Sequence, residues 1–310
     1  MGGSKGGKVS FPPLLATGRW YRIRQWCTPW LFLAPALILF AAFKFVPLVR
    51  MIRMSTYEVR PFLGDRWVGL DNYDRVVNDP AFREAIGHTL YLAVGTTIGS
   101  VAVGFVLALL LEGQSRTLWF VRSAVFLPVV AAMAVVAEVW RIMYHPEAEG
   151  TVNTILGYVG LGPSRFLTSP DTSLNSVMLV GIWRGAPYDM MLFLAGLAGV
   201  DRTLYEAAAV DGASVWRRMY HIVLPALRPV FAILLTLAAI RGLRIFTEVF
   251  LLTNGGPNGS SEVLITLIYK IGLQRSGQLG VAAAGSVVLL VAIVIFTLLS
   301  QAMRRRMVRR

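Results

Sequence analysis

Cysteine and histidine are scarce in this sequence. Cys27 is the single cysteine among 310 residues, so no disulfide, thiol pair or cysteine-based metal cluster can form within the chain. His88, His145 and His221 are far apart and lack the spacing of a metal site or a catalytic triad. The patterns G-x4-G-K-[ST], G-x-S-x-G and H-E-x-x-H are also absent. We therefore predict that the chain is not an enzyme and holds no metal.

Charged residues are also few. They make up 15% of the chain, whereas about 25% is usual for a soluble protein, and 55% of the residues are hydrophobic. The net charge of +13 could suit nucleic acid. However, Lys and Arg are concentrated at both chain ends and in one internal loop, each beside an apolar run, which is typical of membrane proteins. The lipid bilayer, and not nucleic acid, is therefore the predicted partner.

The long apolar runs predict an all-α integral membrane protein, because each is long enough to cross about 30 Å of hydrocarbon as a helix. Together they form a transmembrane domain over residues 30–303. The six predicted transmembrane helices are at about 30–49, 89–111, 119–144, 174–200, 230–252 and 279–303.

Both chain ends are predicted to be cytoplasmic tails. Residues 1–29 are basic, but the apolar run that follows is too long for a cleaved signal peptide. Residues 304–310 form a second basic tail. Six helices place both ends on one side, and Lys and Arg outnumber acidic residues in the loops of that side, as expected for cytoplasmic loops.

Residues 206–229 form a polar, basic segment between two apolar runs. Ala207 to Ala209 favour a helix, whose start is expected near Glu206, because a negative charge is favourable there. Gly212 can adopt a positive φ and end this helix. Asp211 is expected to cap a second helix over Val215–His221.

The prolines of this segment, Pro225 and Pro229, are expected to end the second helix and turn the chain into the next membrane helix. Arg217 and Arg218 would give the segment a basic face. One interpretation is an ordinary interfacial helix, with its arginines among the lipid headgroups. The other is a docking element for a partner protein.

The spacing of this segment is E-A-A, three residues, Gly212, nine residues, then I-x-L-P ending at Pro225. It resembles, without gaps, the EAA loop of permease subunits of ATP-driven (ABC) importers; residues 206–229 are called the EAA loop below. Softer matches to the sugar-type group, the maltose and glycerol-3-phosphate permeases, occur at Trp67 to Phe82, Gly150 to Asn153 and Leu252 to Val263. The resemblance implies that the EAA loop docks on an ATPase subunit. The residues it assigns to this coupling are Glu206, Ala207, Ala208, Asp211, Gly212, Arg217, Arg218, Leu224 and Pro225.

The resemblance also implies a type I ABC importer permease with six transmembrane helices and a cytoplasmic helical hairpin. Such a subunit lies in the bacterial inner membrane and forms half of a path for a sugar or oligosaccharide. Its implied partners are a second homologous permease, two ATPase subunits that bind ATP and Mg, and an extracytoplasmic solute-binding protein. No cofactor is expected in this chain.

Other functions are compatible with the same resemblance. The machine could import glycerol-3-phosphate or a glycerophosphodiester, or move an amino acid, peptide or other anion. The sugar-type segments argue against amino acids. A third possibility is a membrane regulator that resembles an ABC permease but does not transport.

Several charges fall inside the predicted membrane helices, where each costs about 2.5–3.5 kcal/mol. One interpretation is internal pairing, for example of Arg244 with Glu248; another is that some line a watery path. Pro128 is expected to interrupt the third span, and a break at Pro187 is expected to free backbone groups for such a path. The spacing of Arg241, Arg244 and Glu248 predicts that they share one helical stripe. The charges hardest to assign to snorkelling are Glu138, Arg141, Arg184, Asp189, Arg241, Arg244 and Glu248. The predicted substrate path comprises Trp183, Tyr188, Asp189, Arg241, Arg244 and Glu248.

Overall fold

The computed structural model describes residues 19–60, 63–274 and 278–308, with side chains described for 26–60, 63–274 and 278–303. The predicted N-terminal tail up to residue 18 and the last two residues of the basic C-terminal tail lie outside the described residues. The chain divides into two units, Met1–Met51 and Ile52–Arg310.

A helical segment extends over residues 19–54. It comprises α1 (Arg19–Phe40), a π-helical turn (Ala41–Phe45) and α2 (Val46–Met54). The predicted first span, 30–49, lies within this helix, whose apolar part extends over Trp26–Met54. Pro29 and Pro35 lie inside α1 without ending it.

The remaining elements of the described residues are helices and one two-stranded antiparallel ladder, in which Tyr57 pairs with Trp67 and Glu58 with Arg66. In chain order they are β1 (Tyr57–Glu58), β2 (Arg66–Trp67), α3 (Asp71–Asn78), α4 (Pro80–Leu110), α5 (Arg116–Val130), α6 (Met133–Met143), α7 (Thr151–Tyr158), α8 (Pro170–Ala198), α9 (Arg202–Val210), α10 (Val215–Arg218), α11 (Leu224–Leu243), α12 (Thr247–Leu252), α13 (Leu264–Tyr269) and α14 (Leu279–Val308). Short 3-10 or π segments lie at Phe166–Thr168, Met219–Val223 and Lys270–Gln274.

Among the described residues, five helices are long and apolar enough to cross a membrane, and a bent pair makes a sixth if it is one span. The third span, 119–144, is interrupted, but the predicted position of the interruption at Pro128 is wrong. α5 and α6 meet at 98°, and the break lies at Ala131 and Ala132, both extended, rather than at Pro128 inside α5.

Two further predictions about proline are wrong. α8 continues unbroken through Pro187. A proline removes one N–H from the helical ladder, but the surrounding residues of α8, including Ala186 and Met190, are buried in the protein, and their packing keeps the helix continuous.

The second concerns the EAA loop, where one continuous helix extends over Val215–Leu243 and includes both Pro225 and Pro229. A π turn at Met219–Val223 precedes Pro225, and the N–H of Leu224 bonds to the carbonyl of Met219. The wider turn changes the hydrogen-bond register before the proline, so that its missing N–H does not end the helix.

The predicted fifth span, 230–252, is not one helix either. α11 ends at Leu243, and α12 begins only at Thr247. The N–H of Arg244 is shared between the carbonyls of Ile240 and Arg241, at 3.2 Å each. Since the chain leaves the helix at Arg244, the spacing that would place Arg241, Arg244 and Glu248 on one stripe does not apply.

α4, α8 and α11 pack together closely because glycines stand where they cross. A Cβ on Gly104 would lie 2.8 Å from the carbonyl oxygen of Ala186, and one on Gly242 would lie 2.7 Å from the Cα of Ala93. The absence of a Cβ at Gly104 and Gly242 therefore permits this close approach of the helices. At one end of this contact Phe105, Phe193 and Phe231 have ring centroids 4.7–5.3 Å apart.

Candidate functional site: the EAA loop and the polar cavity

The first helix of the EAA loop begins earlier than predicted. Asp201 is its N-cap, and its carboxylate accepts a hydrogen bond of 2.9 Å from the N–H of Thr203. This bond lowers the pKa of Asp201. α9 therefore starts at Arg202, and Glu206 lies in its middle rather than at its positive end, which corrects the predicted role of that charge.

The end of α9 agrees with the prediction for Gly212, whose φ is +67°. The N–H of Gly212 bonds to the carbonyl of Ala209 at 3.1 Å, and that of Ala213 to Ala208 at 2.8 Å. This pair of bonds is a Schellman motif, which requires the left-handed conformation that glycine adopts most readily. Asp211 is the C-cap residue of α9.

The cap of the second helix is Ser214, not Asp211. The Ser214 hydroxyl accepts a hydrogen bond of 3.4 Å from the N–H of Arg217. Because Asp211 and Gly212 are already used in ending α9, the residue immediately before Val215 is the one placed to cap α10. Sequence reasoning missed Ser214, although a serine directly before a helix is the usual signal.

The EAA loop presents both charged and apolar side chains to the surroundings. Val210 is 89% exposed and Trp216 72% exposed, whereas Tyr205 and Met219 pack against the core beside α4 and α8. Of the predicted coupling residues, the exposed ones are Glu206, Ala207, Asp211, Gly212 and Arg217, and the half-buried ones are Ala208, Arg218, Leu224 and Pro225.

The side chain of Tyr205, the residue immediately before the EAA loop, packs against the core. Its hydroxyl is buried without a hydrogen-bond partner among the described residues. Burial, and secondarily the charge of Glu112, raise the pKa of Tyr205. The phenol therefore remains neutral in this position.

A polar cavity of about 570 Å³ lies where α4, α8, α11 and the break before α12 meet. Arg184, near the middle of α8, is on its wall. Four of the predicted path residues line it: Tyr188, Arg241, Arg244 and Glu248. Thr96, Ser100 and Thr247 are among the remaining lining residues.

The other two predicted path residues are not among those that line this cavity. Asp189 is only 1% exposed and lies behind Arg241. Trp183 packs edge-on against Trp140, with the ring centroids 5.4 Å apart. The sequence alone does not indicate which neighbouring helix a tryptophan in a membrane helix contacts.

Arg241 and Asp189 form an ion pair between α11 and α8. Arg241 Nη2 lies 3.0 and 3.1 Å from the two Asp189 carboxylate oxygens and 3.3 Å from the Ser100 hydroxyl. The guanidinium also lies 5.7 Å from the ring centre of Tyr188. The alternative that the intramembrane charges pair internally is confirmed for these two residues. A charge buried like that of Asp189 needs such a partner.

Glu248 pairs with Arg184, across a distance of 3.2 Å between Arg184 Nη1 and Glu248 Oε1. The predicted pairing of Glu248 with Arg244 is wrong, because the helical break separates two residues that a continuous helix would bring together. Arg184 is therefore a site residue that the predicted path omitted, although its charge inside an apolar run was the available signal. Thr96, Ser100 and Thr247 carried no comparable signal.

Glu138 and Arg141 also pair, at 2.9 Å, as their spacing predicts. Arg141 donates a further hydrogen bond to the carbonyl of Leu251. This pair lies on α6 and is not part of the cavity lining. Among the described residues, no group of three or more His, Cys, Asp or Glu side chains could hold a metal ion.

Several apolar helices of membrane-spanning length, with a charged cavity between them, define a multi-pass membrane protein of the permease class. The chain belongs to the family of binding-protein-dependent transport system inner membrane components, whose model matches residues 11–309. It is a permease subunit of an ABC importer, which is a transport component and not a catalytic one. The predicted fold, that of a type I ABC importer permease, is confirmed.

Characterised relatives cover most of the chain. The arabinooligosaccharides transport system permease protein AraP of Bacillus subtilis (strain 168) is 32% identical over 88% of this chain and 87% of its own. The trehalose/maltose transport system permease protein MalF of Thermococcus litoralis is 29% identical over 87% and 90%. The lactose transport system permease protein LacF of Rhizobium radiobacter is 31% identical over 86% and 91%.

A solved structure agrees in fold as well. A chain of a bacterial ABC transporter involved in the import of the acidic polysaccharide alginate superposes with a TM-score of 0.80 at 28% identity, covering 93% of this chain and 98% of its own. A second structure of a bacterial alginate ABC transporter, in complex with a periplasmic protein that carries an alginate pentasaccharide, gives a TM-score of 0.81 at 26% identity, over the same shares of both chains.

Proposed function

We propose that this chain forms half of the translocation path of an importer for a sugar or oligosaccharide that a solute-binding protein delivers. The cavity carries this proposal. It combines hydroxyls, charged donors and acceptors, and the 40%-exposed ring of Tyr188. A polyhydroxylated solute needs such hydrogen-bonding groups together with an apolar platform. The carbohydrate names of the relatives support the same substrate class.

We infer the remaining partners from the family to which the chain belongs. A second homologous permease would complete the path, and two ATPase subunits, holding ATP and Mg, would drive it. No cofactor is assigned to this chain. The EAA loop would dock on one ATPase through its exposed surface, with Glu206, Arg217 and Trp216 among the contacts, so that closure of the ATPase pair reorients the permeases. The chain would lie in a bacterial inner membrane with both termini and the EAA loop in the cytoplasm.

Uptake by the complete importer in proteoliposomes tests the proposal. Tyr188→Ala removes the aromatic wall and is expected to reduce uptake roughly two- to tenfold, since contacts to an aromatic ring contribute about 0.5–1.5 kcal/mol. Basal ATP hydrolysis and expression should remain unchanged. Tyr158→Ala is the matched control, because Tyr158 is 86% exposed and outside the cavity.

Two outcomes would reject this assignment. Equal uptake by both variants would place the path elsewhere, for example in the partner permease. A complex that responds to ligands by changing ATP hydrolysis, but moves no solute, would instead be a membrane regulator.

A further inference from the structure

The cavity contains more positive than negative charge. Arg184, Arg241, Arg244 and Glu248 line it, and Asp189 lies behind Arg241. Each carboxylate is engaged by one arginine, Asp189 by Arg241 and Glu248 by Arg184. Among the residues that the structure describes, the guanidinium of Arg244 therefore has no ion-pair partner.

Arg244 reaches the cavity because α11 ends there. Its backbone is the C-cap of α11, so its side chain departs from the helical stripe that contains Arg241. A cation at the C-terminus of a helix is favoured only weakly by the helix dipole. Arg244 is exposed in this chain. Its charge is therefore accessible to a ligand in the cavity.

The groups around Arg244 divide into two kinds. Thr247 offers a hydroxyl and Tyr188 an aromatic ring, which suit any sugar. Arg244 alone offers a charge that no carboxylate of the described residues offsets. A guanidinium binds a carboxylate or a phosphate through two parallel N–H donors. A neutral sugar would displace water from that guanidinium without supplying a compensating charge.

We propose that the transported solute is a sugar derivative that carries an oxyanion, a carboxylate or a phosphate, and that Arg244 binds this group in the cavity. The inference rests on the proposed function, because it names the substrate class of the same cavity. In this proposal, the unpaired guanidinium of Arg244 recognises the solute. The two ion pairs, Arg184 with Glu248 and Arg241 with Asp189, hold α8 against α12 and α11.

The experiment measures binding to the complete importer in nanodiscs, without the solute-binding protein, by calorimetry. The three probes are a galacturonate trisaccharide for the carboxylate, glucose 6-phosphate for the phosphate, and maltotriose as the neutral sugar. We expect one of the two oxyanion probes to bind at least tenfold more tightly than maltotriose, and the stronger of the two identifies the anionic group. Proteoliposome uptake of the same probes with the cognate binding protein is the second readout.

Arg244→Gln should reduce oxyanion binding and uptake at least tenfold, a change of about 1.4 kcal/mol. Arg244→Lys keeps the charge but not the two-donor fork and should retain an intermediate affinity. Arg116→Gln is the matched control, because Arg116 is an exposed residue at the start of α5 and does not line the cavity. In the wild-type importer, the preference for the oxyanion should weaken as salt is raised.

The outcomes separate this inference from the function on which it rests. Import of maltotriose without a preference for either oxyanion would overturn the inference and leave sugar import standing. Oxyanion binding that is unchanged in Arg244→Gln would overturn the assignment to Arg244. A complex that neither binds nor moves any of the three probes would overturn both the inference and the sugar-import proposal.

Discussion

Gly212 shows how one residue can set the shape of the EAA loop. Its φ of +67° ends α9 and directs the chain towards α10. A Cβ built at this position would meet no atom within 4 Å. The requirement for glycine is therefore conformational and not steric, since other L-residues adopt this region at a cost.

We expect Gly212→Ala to uncouple ATP hydrolysis from uptake in the reconstituted importer. The substitution costs about 1–2 kcal/mol in the left-handed conformation, so the turn should relax and displace the docking surface. The measurement is the number of solute molecules imported per ATP hydrolysed, which should fall severalfold while the basal hydrolysis rate persists. Gly212→Asn is the matched control, because asparagine tolerates this conformation. Equal coupling in the alanine and asparagine variants would contradict the role of the turn.

At the scale of elements, caps and breaks decide which side chains meet. Ser214 caps α10, and the break after Leu243 directs Arg244 and Glu248 to different neighbours. The uninterrupted course of α8 through Pro187 keeps Arg184 and Tyr188 on the wall of the same cavity. Each of these features depends on where a helix begins, ends or continues.

Ser214→Ala should loosen the start of α10. Loss of an N-cap costs about 1 kcal/mol, so the backbone amide of Arg217, which donates to the Ser214 hydroxyl, should exchange with solvent about fivefold faster. Hydrogen-exchange mass spectrometry of the purified importer measures this. Asp211→Ala provides the comparison, because Asp211 does not cap α10. Faster exchange at Arg217 in the Asp211 variant alone would mean that the cap is assigned to the wrong residue.

At the scale of the whole molecule, the order of the apolar helices predicts which surfaces face each compartment. α8 lies between the segment that contains Tyr158 and the EAA loop. One membrane crossing by α8 would place these two segments on opposite sides. The basic tails and the EAA loop would then share the cytoplasmic side, as the distribution of Lys and Arg predicts.

Labelling of single cysteines can test this orientation, because Cys27 is the sole native cysteine. In a Cys27→Ser background, Tyr158→Cys should react with a membrane-impermeant maleimide in right-side-out vesicles. Val210→Cys, at a position that is 89% exposed, should react only after the vesicles are permeabilised. At least a tenfold difference in labelling is expected between the two variants. Reaction of both from the same side would contradict the predicted orientation.

Much of the fold was predictable because its signals are local. Apolar runs of at least twenty residues indicate membrane helices whatever the neighbouring segments are. The helices that the structure describes coincide with five of the six predicted spans over most of their length. Gly212 was predictable for the same reason, since its conformational freedom belongs to the residue. The exceptions were Pro128, Pro187 and Pro225. A proline removes one hydrogen bond, but its effect on the helix depends on packing and on the register of the adjacent turns.

The candidate site was only partly predictable. Charges inside apolar runs identified Arg241, Arg244 and Glu248 as residues that need an explanation, and all three line the cavity. Sequence spacing did not reveal their partners. Arg184 and Glu248 are far apart in the chain and 3.2 Å apart in space, and Ser100 carries no signal that distinguishes it from any other serine in a membrane helix.

The sequence by itself determined that this protein is a helical membrane protein, with an EAA loop whose first helix ends at Gly212 and an excess of arginine in its membrane helices. Those properties follow from hydrophobicity, backbone freedom and charge, which act over a few residues. The tertiary structure decided where α5 and α11 end, which arginine pairs with which carboxylate, and that Arg244 remains without an ion-pair partner among the described residues. Pairing depends on distances between separate helices, and these are set only when α4, α8, α11 and α12 pack together.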